Sequence, residues 1–313
     1  MDQYKVNVSS VQDFYQCRFR WWAKWIMNRV PVAGQPALDA GKLLHVIFED
    51  HFNRKGALDE VAKLRCKKFR DGIPSEHPAT QPTLEKAVTQ IEDLIEAFPL
   101  WQEKFPITKV LEVEQPFEYQ DKELPWLLWR GRPDRVVVIG KNTIYHEQNR
   151  GLAAGQNFGT YVRLQKRSYH EHLYGEYLQR KYCLPWVKKS KRTYGGTLFN
   201  LVRKLKFRTN VGKKNEATKS AEEMFYQMPA PYDMNSGFHE AVMHAMRQHV
   251  VDMRQVEAQW AHGIIPSPNE KMNGGYGGNS EDPYFKVLIG EIKLDDNEVF
   301  TNREEMYAST EVE

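Results

Sequence analysis

The 313-residue chain carries 44 Lys and Arg against 41 Asp and Glu, and its 41% hydrophobic and 27% charged residues describe an ordinary globular protein rather than a disordered or fibrous one. No apolar run approaches the roughly 20 residues of a membrane span, and Met1 to Lys5 lacks a basic-then-apolar signal, so a cytoplasmic protein with no membrane role is expected. Cys17, Cys66 and Cys183 are odd in number and far apart, with no Cys-x-x-Cys pair, which argues against a disulfide framework or a zinc site.

The first hundred residues read as helical. From Val11 to Met27, Phe14, Tyr15, Phe19, Trp22 and Ile26 recur at helical spacings. After a loop at Pro31–Pro36, a helix starting near Leu38 sets Gly41, His45, Phe48 and Phe52 on one face. Ala57 to Phe69 and Thr83 to Lys104 read as further helices, separated by a loop at Pro74–Pro82. The texture changes at Pro106. Lys109 to Tyr119 alternates like a strand, and Trp126 to Arg130, Asp134 to Ile139 and Thr143 to Gln148 are short β-prone runs. Gly140-Lys141, followed by Asn142, predicts a hairpin connection. Phe158 to Tyr182 then reads as a long helix, Thr193 to Val202 as a strand, Ala217 to Gln227 as a helix and Phe238 to His262 as a long helix. From Pro266 the sequence is irregular, with a glycine loop at Gly274–Gly278.

This order predicts an α/β fold whose sheet is embraced by helices. With no repeat and no linker, one domain over residues 1–313 is expected: a helical N-terminal region over residues 1–105, an α/β core over residues 106–210 and a helical C-terminal region over residues 211–313.

Charge is unevenly spread. Between Tyr177 and Asn215 there is no Asp or Glu, and Lys188, Lys189, Lys191, Arg192, Arg203 and Lys204 are among the bases there, interleaved with Tyr182, Trp186, Tyr194 and Phe207. Such a stretch can track a phosphate backbone and stack bases, or be a solvated basic face; charge alone does not choose. Other motifs fail on spacing. The glycines from Gly34 to Gly41 are too far apart for a phosphate loop, and Leu43 stands where a magnesium-holding hydroxyl is needed. His170 and His172 do not share a helix face.

Asp134 is followed thirteen positions later by Glu147. If their strands pair through Gly140, the two carboxylates can lie side by side, where they repel unless a cation such as Mg²⁺ or Mn²⁺ sits between them. Spacing alone leaves open a solvent-facing acid pair near a turn.

In context the pattern is more specific. Gly131-Arg132-Pro133-Asp134 with Tyr145-His146-Glu147-Gln148-Asn149 resembles the signature of PD-(D/E)XK nucleases, in the RecB-like exonuclease branch. Ser9 with Phe14 and Cys17 is similar to the opening of these nucleases, Gly41 to His45 to their Gly-x-x-x-His helix, and Gln165 to Tyr169 to their Gln-x-x-x-Tyr motif. Gly196 to Lys204 looks like the strand that follows in phage-type members. The resemblance implies a restriction-endonuclease-like mixed sheet flanked by helices and a metal-dependent DNA nuclease. Asp134, Glu147 and His45 would hold Mg²⁺ or Mn²⁺. Gln165 and Tyr169 would contact DNA near the scissile phosphate, and the Lys188–Lys204 bases would line its groove. Glu114, on the strand Val110 to Tyr119, is either a further acid near the site or an exposed strand residue. A bacterial or phage-infected cell, and a protein partner in recombination or repair, are further implications.

Two positions depart from the family pattern. Asn149 stands where the catalytic lysine is expected. That lysine would supply a fixed positive charge for the transition state. Lys166 and Arg150 are nearby cations, but each faces away by helix or strand geometry. The second departure is that the region Met272 to Glu291 has no cysteine, so the four-cysteine iron–sulfur cluster of some relatives cannot assemble. The alternative function is a catalytically inactive pseudonuclease that binds nucleic acid or a protein partner; Asn149, natural or engineered, favours it.

Overall fold

In a computed structural model of the chain, the residues described are 3–31, 36–53, 55–71, 88–89, 91–92, 94–95, 98, 107–152, 157–160, 168–184, 192–203, 225–231, 237–266, 283–288 and 290–303. In chain order they form β1 (Tyr4–Asn7), α1 (Val8–Gln16), α2 (Arg18–Trp21), β2 (Arg29–Pro31), α3 (Pro36–Phe52), α4 (Leu58–Asp71), β3 (Ile107–Val113), β4 (Phe117–Gln120) and β5 (Leu127–Gly131). There follow β6 (Arg135–Ile139), β7 (Thr143–Leu152), α5 (Tyr169–Leu178), β8 (Thr193–Arg203), β9 (Phe225–Pro231), α6 (Gly237–Ala261), α7 (Pro283–Leu288) and β10 (Phe300–Asn302). The chain divides into two compact units: Met1–Ala33, Phe117–Gly131 and Asn235–Glu313 make one, and Gly34–Pro116 and Arg132–Met234 the other.

In the first unit, the Asn7 side chain caps α1 by accepting from the Ser10 amide (2.8 Å). The expected single helix from Val11 to Met27 is broken at Cys17, whose backbone is extended and whose sulfur caps α2; a π turn, Trp22–Ile26, follows. β1 runs parallel to β5, and β4 is antiparallel to β5. Asp121, after β4, is buried and accepts from Trp129 Nε1 (2.8 Å) and Arg247 Nε (3.0 Å). Burial alone would raise its carboxyl, but these donors and the Glu123 and Leu124 amides hold it below the ordinary range.

The second unit holds a five-stranded sheet in the order β3-β6-β7-β8-β9, with β7 and β8 parallel and the other neighbours antiparallel. The hairpin turns at Gly140, at φ 63°, and pairs Ile139 with Thr143. Strand alternation divides the residues between the two faces. On one face Val202 packs with Ile47 and Phe48 of α3 and Val61 and Cys66 of α4. On the other, Val136, Val138 and Ile144 pack with Leu178 at the end of α5 and with Tyr194. At Gly195 a Cβ would lie 2.5 Å from the Tyr145 ring, so no side chain fits there. This mixed sheet flanked by helices is the restriction-endonuclease-like α/β architecture.

Three expected elements differ. Lys109 to Tyr119 is not one strand but β3 and β4, in different sheets, parted at Glu114. The helix read from Phe158 to Tyr182 is interrupted at Ser168, whose extended backbone and hydroxyl cap α5 through the Glu171 amide (3.3 Å). The helix read from Ala217 to Gln227 ends, in its described residues, as β9; pairing with β8 overrides helical propensity, and Pro229 and Pro231 fit a strand at the sheet edge. Val88, Ile91, Leu94 and Phe98, in the expected helix Thr83 to Lys104, are helical and buried. The Pro74–Pro82 and Gly274–Gly278 loops lie outside the described residues.

Candidate metal centre

Glu114 follows the last residue of β3 with φ 47°, a left-handed conformation that L side chains adopt at a cost on the order of 1 kcal/mol. Its amide donates to the Asp134 carbonyl (3.0 Å), which fixes the bend against the start of β6. The bend turns the Glu114 carboxylate inward, to 7% exposure. Asp134 is held from the other side: its Oδ2 accepts the Asn149 backbone amide at 2.6 Å. Main-chain bonds thus hold the Asp134 carboxylate and the Glu114 backbone, just before β6 and just after β3.

His45 completes the group from α3. Its Nδ1 lies 3.3 Å from Glu114 Oε1 and 3.7 Å from Asp134 Oδ1. One ligand atom from each of the three residues lies within 4.8 Å of the others. Arg132 Nε is 3.1 Å from Glu114 Oε2, and its side chain is 56% exposed. Phe48, Glu49, Asn149 and the three ligand candidates line a small pocket.

Burial pushes the Glu114 carboxyl above its ordinary range, and the Asp134 charge adds to that push while His45 and Arg132 oppose it. The donor set, one imidazole and two neighbouring carboxylates, fits a hard or borderline divalent cation such as Mg²⁺ or Mn²⁺.

The sequence-derived residues fall into three groups. His45 and Asp134 are brought together, and Glu114 joins them. Glu147 is held apart. It sits opposite Arg135 in the β6–β7 register, is fully buried, and binds that guanidinium through both oxygens, Nη2 to Oε1 at 2.7 Å. Phe52 backs the pair, with Arg135 Cζ 3.7 Å from its ring centre. Asn149 lines the pocket. Tyr169 opens α5 and, among the described residues, is not one of those lining the pocket. Gln165, Lys188, Lys189, Lys191 and Lys204, and the side chain of Arg203, lie outside the described residues; Arg192 is half-buried just before β8. No described helix is long and apolar enough to cross a membrane.

Sequence reasoning left Glu114 open. The only signal was an acid in an alternating run, and the bend that makes it a site residue carries no glycine or asparagine to announce it.

No curated protein matches this sequence. Residues 5–146, from β1 into β7, match the family model of the PD-(D/E)XK nuclease superfamily. That stretch is thus similar to the PD-(D/E)XK nuclease superfamily, and it contains the three residues of the His45–Glu114–Asp134 group.

Proposed function

We propose that the chain is a metal-dependent deoxyribonuclease of the RecB-like exonuclease branch, phage-type and without an iron–sulfur cluster, using Mg²⁺ or Mn²⁺. The observation that carries this reading is the convergence of His45, Glu114 and Asp134 beside a nuclease-like sheet. A divalent ion held there would polarise a phosphodiester and supply hydroxide at neutral pH. The Asn149 amide holds the Asp134 carboxylate, and the Asp134 carbonyl holds the Glu114 backbone in the bend that turns its side chain inward. Arg132, paired with Glu114 and largely exposed, would meet an incoming phosphate. Glu147 would join the ligands through the lone pairs its oxygens keep beside Arg135, with that pair retained, since breaking a buried ion pair costs several kcal/mol, roughly 3–5. Gln165, Tyr169 and the bases Lys188, Lys189, Lys191, Arg192, Arg203 and Lys204 are the proposed DNA contacts.

The second reading, a pseudonuclease that binds DNA or a protein partner without cutting, is favoured by Asn149 at the lysine position. One assay separates the two. Linear and covalently closed circular DNA are incubated with Mg²⁺ or Mn²⁺. Loss of linear DNA alone, abolished by Asp134→Ala, is the expected result. Nicking of the circle would make the enzyme an endonuclease, and no cleavage in either metal with salt-dependent DNA binding intact would leave the pseudonuclease.

A further inference from the structure

Two amides continue from Asn149 across the sheet, and the function proposed above uses neither. Asn149, Asn200 and Gln227 are direct neighbours in register on β7, β8 and β9. Gln227 Nε2 donates to Asn200 Oδ1 at 2.6 Å, and Asn200 Nδ2 donates to Asn149 Oδ1 at 3.0 Å. Asn200 is 2% exposed, between Leu198 and Val202 on the same face of β8, both buried. An amide there without partners would carry the full desolvation penalty of its polar atoms, and the ladder removes that penalty. It also has a direction, because every member donates toward β7.

The direction decides what Asn149 offers. Its Oδ1 is turned to β8 and its backbone amide is given to Asp134, so the group left for the pocket shared with His45, Glu114 and Asp134 is the Nδ2 amide. Among the described residues, Nδ2 has no acceptor. An isolated asparagine can turn its amide over and present oxygen instead. Here that turn would set the Asn149 Nδ2 against the Asn200 Nδ2, donor against donor.

We infer that Asn149 presents an oriented neutral donor to a phosphate oxygen of DNA bound at the candidate metal centre, and that Asn200 and Gln227 are positioning residues that fix its orientation. The identity of the phosphate rests on the nuclease reading above. An ammonium at this position would act by charge, whereas an amide acts only by direction, and direction is what the ladder supplies. The ladder also sets the outcome of restoring the lysine. Asn149→Lys alone places an ammonium against the Asn200 donor; adding Asn200→Asp gives that ammonium an acceptor.

The test is a double-variant cycle in Mn²⁺-dependent cleavage of a linear duplex. Asn200→Asp in the native chain turns Asn149 over and slows cleavage by about 10²-fold, the usual loss for one oriented donor. In the Asn149→Lys chain the same change speeds cleavage. A structural role for Asn200 would slow both, so effects of the same sign, or no effect in either, overturn the inference. Gln227→Ala, at a half-buried position on the edge strand, gives the native-chain effect in weaker form should Asn200→Asp fail to fold. A second readout needs no turnover. In ¹⁵N-labelled protein with Ca²⁺, a short duplex shifts the side-chain amide protons of Asn149, and Asn200→Asp removes the response. An unresponsive amide in a chain that cleaves overturns the ladder's role and leaves the nuclease reading. A responsive amide in a chain that never cleaves does the reverse.

Discussion

Glu114 carries two burdens in the metal-free protein: it is buried, and it shares its pocket with the Asp134 carboxylate. Both are relieved by a cation and by removing the charge. Glu114→Gln is therefore expected to leave the metal-free melting temperature unchanged or higher, while Mn²⁺ loses most of its stabilising effect. Thermal melts with and without Mn²⁺ check this; equal Mn²⁺ stabilisation in the variant would remove Glu114 from the ligand group. The same neighbourhood shows how far single residues were legible. His45 and Asp134 stood out because they stand in the Gly-x-x-x-His and Gly-x-x-Asp patterns through which the sequence resembles PD-(D/E)XK nucleases. The partner of Glu147 did not, because a cross-strand register decides it. Arg135 lies directly opposite Glu147, and no pattern in either strand states that its guanidinium donates to both oxygens. Asn200 and Gln227 were invisible for the same reason: their meaning lies in a row across three strands.

On the face of β7 opposite Glu147, His146 is fully buried, with Nδ1 2.5 Å from the Tyr194 hydroxyl and Nε2 3.1 Å from Thr197 Oγ1. Burial, with a smaller contribution from the charge of His170, pushes its imidazole down to about 3. A histidine depressed on folding contributes stability that is complete above its unfolded value, near 6.5, and is lost as pH falls toward the folded one. Between pH 7 and 5 that loss amounts to about 2 kcal/mol. Urea unfolding at the two pH values should show it in the native chain and a shallower slope in His146→Gln; equal slopes would show that the imidazole does not set it. The elements themselves were legible where a long period or a turn residue announced them, as in α6 and the Gly140 hairpin. They were not where a cap or an edge strand overrode propensity. Ser168 starts α5 in the middle of an amphipathic run, and Phe225 to Gln227 could not be told from helix before β8 offered its edge.

At the scale of the whole chain, the first unit gathers three separate segments, so no shift in composition marks its borders at Pro116–Phe117 or Gly131–Arg132. Its strands pair the start of the chain with distant partners: β1 with β5, and β2 with β10. Three-residue strands carry no periodicity, and the sequence from Pro266 therefore read as irregular. Yet this tail is clamped at several points. Tyr284 donates to the Arg29 carbonyl (2.9 Å), Arg29 Nε donates to the Leu294 carbonyl (3.0 Å), and the Arg303 amide donates to the Asn28 carbonyl (2.8 Å). Phe300, fully buried, packs against the Tyr284 ring at 5.5 Å. These contacts tie the tail into the core of the first unit. Phe300→Ala opens a cavity there and is expected to lower the unfolding free energy by about 3–5 kcal/mol. Lys293→Ala, at an exposed neighbour, changes it by less than about 0.5 kcal/mol. Denaturant unfolding followed by tryptophan fluorescence reads both, since Trp21, Trp22 and Trp129 are buried in this unit. If the Phe300 variant is as silent as the Lys293 variant, the β2–β10 pair is a surface ornament and the tail contributes nothing to the core.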